Sequence, residues 1–252
     1  MKIGIIGGSG LDNPKILENF SKKEIDTPYG KPSSIITCWK ISDVDVNILS
    51  RYYKNHEISP TNINFRANIR ALKLCDCTNI LSTSAVGSLK EEIKPVDLVF
   101  LDQFIDFTKH KQNTFYNELG KVKHTEMAMT FSEKLRKILI NNTKALNINY
   151  HEKAPIVVIE GPRFSTKAES LMFRNYADII GMITIQECIL AKEAGLEYAT
   201  IVAVTDYDCW EENEDPVTFE IVLRRMEENA EKVKKLLLTF ITWIDLKWIN
   251  LK

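Results

Sequence analysis

The chain is predicted to fold as a single α/β domain, with a central mixed sheet between layers of helices. Two observations predict this. Short apolar runs of strand length alternate with stretches of helical period from one end of the sequence to the other. No linker, internal repeat or low-complexity segment divides the 252 residues, so 1–252 reads as one domain large enough to bury a substantial core.

The elements follow in order. Residues 2–6 form a β-rich run that opens into glycines at 7, 8 and 10. Residues 34–41 and 44–49 read as a strand pair around a turn at Ser42-Asp43. Residues 60–74 have helical spacing, with Ile63, Ala67, Ile69, Ala71 and Leu72 on one side. Residues 79–84 are strand-like and run into Ala85-Val-Gly-Ser88, and residues 96–104 read as one further apolar strand. The stretch 108–125 is polar and irregular, as expected of a long functional loop. Residues 132–146 are an amphipathic helix, and 156–159 a strand entering Glu160-Gly-Pro-Arg-Phe164. Residues 166–176 and 185–194 are helical, 198–204 are the last strand, and 216–248 form a long C-terminal helix.

Composition narrows the function classes. Apolar residues make up 44% and charged residues 27%, as in ordinary soluble globular proteins. A net charge of −1 gives no electrostatic reason to bind nucleic acid or an anionic membrane. No apolar run reaches membrane-spanning length, and glycines interrupt the start too early for a secretory leader. Five scattered cysteines, an odd number, fit reduced thiols in a cytoplasm, with Cys75 and Cys77 as core or helix-end residues. The four histidines make no metal-binding spacing, and neither a metal nor an organic cofactor is implied.

The strand at 198–204 ends in Thr205-Asp-Tyr-Asp-Cys-Trp210. If extended geometry persists, Asp206 and Asp208 point to the same side. Two carboxylates so placed can accept an exocyclic amine and share a proton with a ring nitrogen, which is what holding adenine requires. Read in isolation they are more simply two solvated residues of a loop, because Asp is a common turn residue. Ile5-Ile-Gly-Gly-Ser-Gly-Leu11 follows a strand, so its backbone N–H groups and the Ser9 hydroxyl can approach an anion closely. The same glycines suggest a dinucleotide fold, but Pro14 and the polar stretch to Pro28 do not supply the helix and acidic residue that fold requires. Arg51 at a strand end suits bidentate phosphate contact, and Ser82-Thr-Ser-Ala-Val-Gly-Ser88 closes another strand with small hydroxyl residues. Three such strand ends in one chain suggest a shared crevice.

These motifs, in this order, resemble the trimeric purine nucleoside phosphorylase family, and within it the enzymes that act on 5′-methylthioadenosine. The resemblance is carried by Ile3-Gly-Ile-Ile-Gly-Gly-Ser-Gly-Leu-Asp12, Asp26-Thr-Pro-Tyr-Gly-Lys-Pro32, Asn64-Phe-Arg-Ala-Asn-Ile-Arg-Ala-Leu72, Gly87-Ser-Leu-Lys-Glu-Glu-Ile93, Asp102-Gln-Phe-Ile-Asp106, Ile159-Glu-Gly-Pro-Arg-Phe-Ser165 and Thr205-Asp-Tyr-Asp-Cys-Trp210. It covers nearly the whole chain. It implies a cytoplasmic homotrimer of purine and methionine salvage that converts methylthioadenosine and phosphate, a co-substrate, to adenine and 5-methylthioribose 1-phosphate. Carried over by position, Ser9, Arg51, Ser84 and the backbone of Ala85 would hold phosphate, and Met182 would lie against the ribose. Phe164 would pack on the base, and Asp206 and Asp208, with Ser165 nearby, would bind adenine N7 and N6. Phe219 and Val222 would line the 5′ pocket, to which a neighbouring subunit would lend His124.

Two positions depart from the family pattern. Tyr52 stands where relatives have a histidine that contacts phosphate, and His56 matches only the motif's second histidine. Ile183 stands where relatives have a threonine that contacts phosphate and ribose. The Tyr52 hydroxyl and the adjacent Thr184 are the available substitutes. Losing a hydrogen bond to a charged group costs about 1.5–3 kcal/mol, so weak phosphate binding is expected. The chain ends at Lys252, close behind the final helix, which predicts a more open 5′ pocket. A phosphate-independent nucleosidase, a broader adenosine or purine nucleoside phosphorylase, and a non-catalytic nucleoside-binding paralogue are the alternatives.

Overall fold

The computed structural model describes residues 2–7, 20–41, 43–53, 56–211 and 218–249. Eleven strands form one mixed sheet: β1 (Lys2–Gly7), β2 (Ser21–Lys23), β3 (Ile36–Ile41), β4 (Val44–Ser50), β5 (Asn79–Ser88), β6 (Leu98–Phe100), β7 (Phe104–Phe107), β8 (Tyr150–His151), β9 (Ile156–Ile159), β10 (Ile179–Gly181) and β11 (Glu197–Asp206). The helices are α1 (Phe65–Leu74), α2 (Glu133–Ala145), α3 (Lys167–Phe173), α4 (Ile185–Glu193) and α5 (Phe219–Ile249). None of these helices is long and apolar enough to cross a membrane.

Strand alternation decides which helices cover which face. Along β11, Ile201 and Ala203 join the core under α2 and α5, whereas Val202 and Val204 join the core under α1 and α4. Along β9, Ile156 and Val158 join that second core, while Val157 and Ile159 pack with Phe173 of α3 and Trp210. The helix starts are capped by side chains: Asn64 accepts from Ala67 N–H, Ser132 from Leu135 N–H, and Thr166 and Glu169 form a reciprocal capping box.

The sheet is built around β5. β11 runs parallel to it from Asn79 to Gly87. On the opposite edge, β1 pairs with Asn79–Ser82, and antiparallel β10 pairs only with Gly87 and Ser88. Ser84, Ala85 and Val86 therefore lie where one neighbouring strand has left and the next has not begun, and a cleft opens there.

The structure corrects the expected elements in three places. The apolar run 96–104 is two strands, because polar Asp102-Gln103 breaks it and β7 turns away to pair with β9. The segment 60–74 is a one-turn 3₁₀ helix, Pro60–Asn62, followed by α1. β2, β8 and β10 were not expected, being too short to show a period.

Candidate active site

A cleft of about 390 Å³ runs along the open edge of β5, and most of the residues singled out above line it: Arg51, Ser84, Ala85, Phe164, Ser165, Met182, Asp206, Asp208, Phe219 and Val222. Ser9 lies outside the described residues. His124 does not line the cleft; it is exposed in the loop between β7 and α2.

At one end the two carboxylates converge, though not by strand alternation. The β11–β5 register shifts at Thr205, and Asp208 has φ 53°, so the chain turns after Asp206 instead of running on. The turn lets the Asp208 N–H donate to Asp206 Oδ1 at 2.8 Å, while the Thr205 hydroxyl donates to Asp206 Oδ2 at 2.6 Å. Burial pushes the Asp206 carboxyl up to about 6; those two bonds oppose the shift, and the nearby Asp208 charge adds to it. Ser165 Oγ lies 2.6 and 2.7 Å from the two oxygens of Asp208 and donates to that carboxylate. Phe164 is 38% exposed beside them, a flat apolar face open to the cleft. Its loop is held by a double ion pair from Arg163 to Glu169 at 2.7 Å, which keeps the Glu169 carboxyl at about 2.

At the other end Arg51 is 0% exposed. Its Nε donates to Glu187 at 2.6 Å, and its terminal nitrogens donate to Thr83 O, Ser82 Oγ and Glu187. The Tyr52 ring stacks on His56 with centroids 4.3 Å apart, and burial pushes its phenol up to about 12, so it stays a neutral hydroxyl. Burial, and then the Arg51 charge, lower the His56 pKa below the ordinary imidazole value. Ile183 is buried and presents an alkyl wall to the cleft. Thr184 does not replace the missing hydroxyl: it is buried outside the cleft lining, and its Oγ1 has no hydrogen-bond partner among the described residues.

Between the two ends Met182 forms the floor. Gly161, at φ 71°, leaves room for it, since a Cβ there would sit 2.7 Å from Met182 Sδ. The ammonium of buried Lys111 donates to the Met182 carbonyl. Burial pushes this lysine down to about 8. Phe219, Val222 and Met226 from the start of α5 close an apolar side, with the His56 ring edge-on to Phe219 at 5.4 Å. No group of three or more His, Cys, Asp or Glu among the described residues is arranged to hold a metal ion.

Sequence reasoning missed Glu187 and Lys111. Glu187 left a signal, a lone carboxylate in the first turn of α4, whereas Lys111 is one of several lysines in a polar loop and left none.

An acid and an amine-accepting carboxylate at one end, an apolar ledge in the middle and a buried arginine at the other end suit a purine nucleoside with an anion beneath it. The sequence model of the Phosphorylase superfamily matches residues 2–242, and the chain belongs to that superfamily. It is 52% identical to the S-methyl-5′-thioadenosine phosphorylase of Xenopus tropicalis, over 100% of this chain and 92% of that one. It is 50% identical to the enzyme of the same name from Pyrococcus horikoshii, over 94% of this chain and 90% of that one. Among solved structures, methylthioadenosine phosphorylase from Schistosoma mansoni in complex with adenine superposes with a TM-score of 0.93 at 38% identity, covering 97% of this chain and 92% of that one. A Ser-to-Thr mutant of adenosine/methylthioadenosine phosphorylase from the same organism, in complex with methylthioadenosine, gives 0.92 at 38% identity with the same coverage.

Proposed function

We propose that this member of the phosphorylase superfamily is a pentosyltransferase that cleaves 5′-methylthioadenosine with phosphate, giving adenine and 5-methylthioribose 1-phosphate. The observation that carries the reading is Asp206, a buried carboxyl whose proton affinity is raised towards neutrality, beside a second carboxylate that Ser165 restrains. The N9–C1′ bond breaks towards an oxocarbenium-like state, and charge accumulates on the departing base. A proton delivered by Asp206 to N7 neutralises it, an effect worth roughly two to four orders of magnitude. Asp208 accepts the exocyclic amine. A 6-oxo purine would set oxygen against oxygen there, so the pair selects adenine over hypoxanthine or guanine. Phosphate beneath the ribose stabilises the positive C1′ and forms the new C1′–O bond. The proton it loses restores Asp206.

In this reading Arg51, Ser84, the backbone of Ala85 and Ser9 form the phosphate subsite, and Met182 supports the ribose. Phe164 covers the base, and Phe219 and Val222 enclose the methylthio group. The exposed position of His124, away from its own cleft, fits a residue given to a neighbouring copy in a homotrimer. The absence of nucleic-acid and membrane partners, a cytoplasmic location and a place in purine and methionine salvage belong to the same proposal.

A second reading, a nucleosidase using water, is favoured by Tyr52 and Ile183, which remove two phosphate donors of the family pattern. Product analysis separates the two. Adenine and methylthioribose 1-phosphate formed only with phosphate supports the phosphorylase; free methylthioribose formed at the same rate without phosphate overturns it. No adenine in either case points to a different nucleoside or a non-catalytic binder.

A further inference from the structure

Beneath the cleft, outside its lining, Glu187 is fully buried and approached from four directions. Arg51 Nε lies at 2.6 Å and the Arg51 terminal nitrogen at 3.2 Å; Ser82 Oγ and the Tyr198 hydroxyl both donate at 2.8 Å. With Thr83 O and Ser82 Oγ also bound by Arg51, four of the five guanidinium N–H groups are committed among the described residues. The one left over is on the nitrogen that also reaches Thr83 O, the residue before Ser84.

We propose that Glu187 is the positioning residue of the phosphate subsite: it fixes the plane of the Arg51 guanidinium and offsets its charge, so that phosphate meets one directed N–H rather than an unpaired cation. The proposal rests on the reading of Arg51 as a phosphate ligand. A guanidinium swings about a long flexible stem unless its fork is held, and a carboxylate locked from two further sides holds it in one orientation. Burial keeps the Tyr198 hydroxyl well above its ordinary pKa, so it remains a donor to Glu187 at any working pH. The charge balance also bears on turnover. A bare buried cation would hold phosphate as tightly before the reaction as in the transition state, and uniform binding of that kind does not speed the chemical step.

The test is steady-state kinetics of Glu187→Gln and Tyr198→Phe, varying phosphate and methylthioadenosine separately. Glu187→Gln keeps the shape but sets an amide donor against Arg51, Ser82 and Tyr198. It is expected to raise the phosphate KM roughly tenfold or more, with the nucleoside KM within about twofold of wild type. Tyr198→Phe leaves the pair intact but looser, and about a threefold rise in the phosphate KM is expected. If Glu187→Gln does not fold, Tyr198→Phe decides by the same criterion. An unchanged phosphate KM, or equal rises for both substrates, overturns the positioning role. A wild-type enzyme whose turnover ignores phosphate overturns the phosphorylase reading first, and is seen before either variant is made.

Discussion

Asp206 Oδ1 accepts the main-chain N–H of Asp208 at 2.8 Å, so one proposed adenine ligand orients the other. The bond exists because Asp208 takes a left-handed conformation that folds its backbone back over the end of β11. In the proposed mechanism, activity at this site depends on a backbone turn as well as on two acidic side chains.

Asp206→Asn is expected to lower kcat by roughly two to four orders of magnitude, because the amide cannot deliver a proton. It should also stabilise the fold at neutral pH. With the folded pKa raised from 3.8 to about 6, the native state holds more protons than the unfolded state between those values, so wild-type stability falls as pH rises through that window. Thermal unfolding should show a higher Tm for the variant at pH 7.5 and no advantage below pH about 4. In wild type, kcat/KM should fall as pH rises above about 6, and the variant should lack that limb.

Gly87→Ala tests the packing around the acid. A Cβ at Gly87 would lie 2.9 Å from Asp206 Oδ1 and 3.2 Å from Ile180, so the carboxyl must move. Displacing a reacting group by a fraction of an ångström should cost on the order of 10- to 100-fold in kcat. Unchanged kcat with normal folding would show that Asp206 tolerates displacement.

Ser165→Ala removes the hydroxyl that restrains Asp208. Adenine affinity, read by calorimetry, should weaken roughly tenfold, as expected for one hydrogen bond to a charged group. Discrimination against inosine should narrow at the same time, because the freed carboxylate can turn its oxygens aside.

How far the site was legible follows from how local each signal is. Asp206 and Asp208 stand at the end of an apolar run, so strand reading found them, and Ser84 stood in the small-residue stretch Ser82–Ser88 that the same reading singled out. Arg51 was legible as a strand-end cation, but its burial was not, because its partner Glu187 is 136 residues away and only the fold joins them. The turn at Asp208 was hidden for a related reason: the side-chain pattern of Thr205-Asp-Tyr-Asp is the same for a straight strand and for a bulge followed by a left-handed residue. β2 is a fully exposed Ser-Lys-Lys, where no alternation exists to be read. The Thr184 hydroxyl looked available because it follows Ile183 directly, yet it is buried outside the cleft lining, and burial of that kind is decided by the fold and not by adjacency in sequence.

That last point makes Ile183→Thr the sharpest test of the anion subsite. Ile183 lines the cleft and Thr184 does not. Threonine at 183 is β-branched like isoleucine, so it keeps the backbone and returns a donor towards the phosphate. A regained charge-assisted bond of about 1.5–3 kcal/mol predicts a phosphate KM lower by roughly 10- to 100-fold, with the nucleoside KM little changed. The fold should lose stability, because Ile183 packs in the core beneath α1 and α4, and removing an ethyl branch while adding a hydroxyl costs roughly 1–3 kcal/mol. Tyr52→His should act on phosphate in the same direction at the cost of the stacking on His56. Were Ile183→Thr to lower Tm and leave the phosphate KM where it was, phosphate would not lie against this wall, and the subsite would have to be drawn around Arg51 and Ser84 alone.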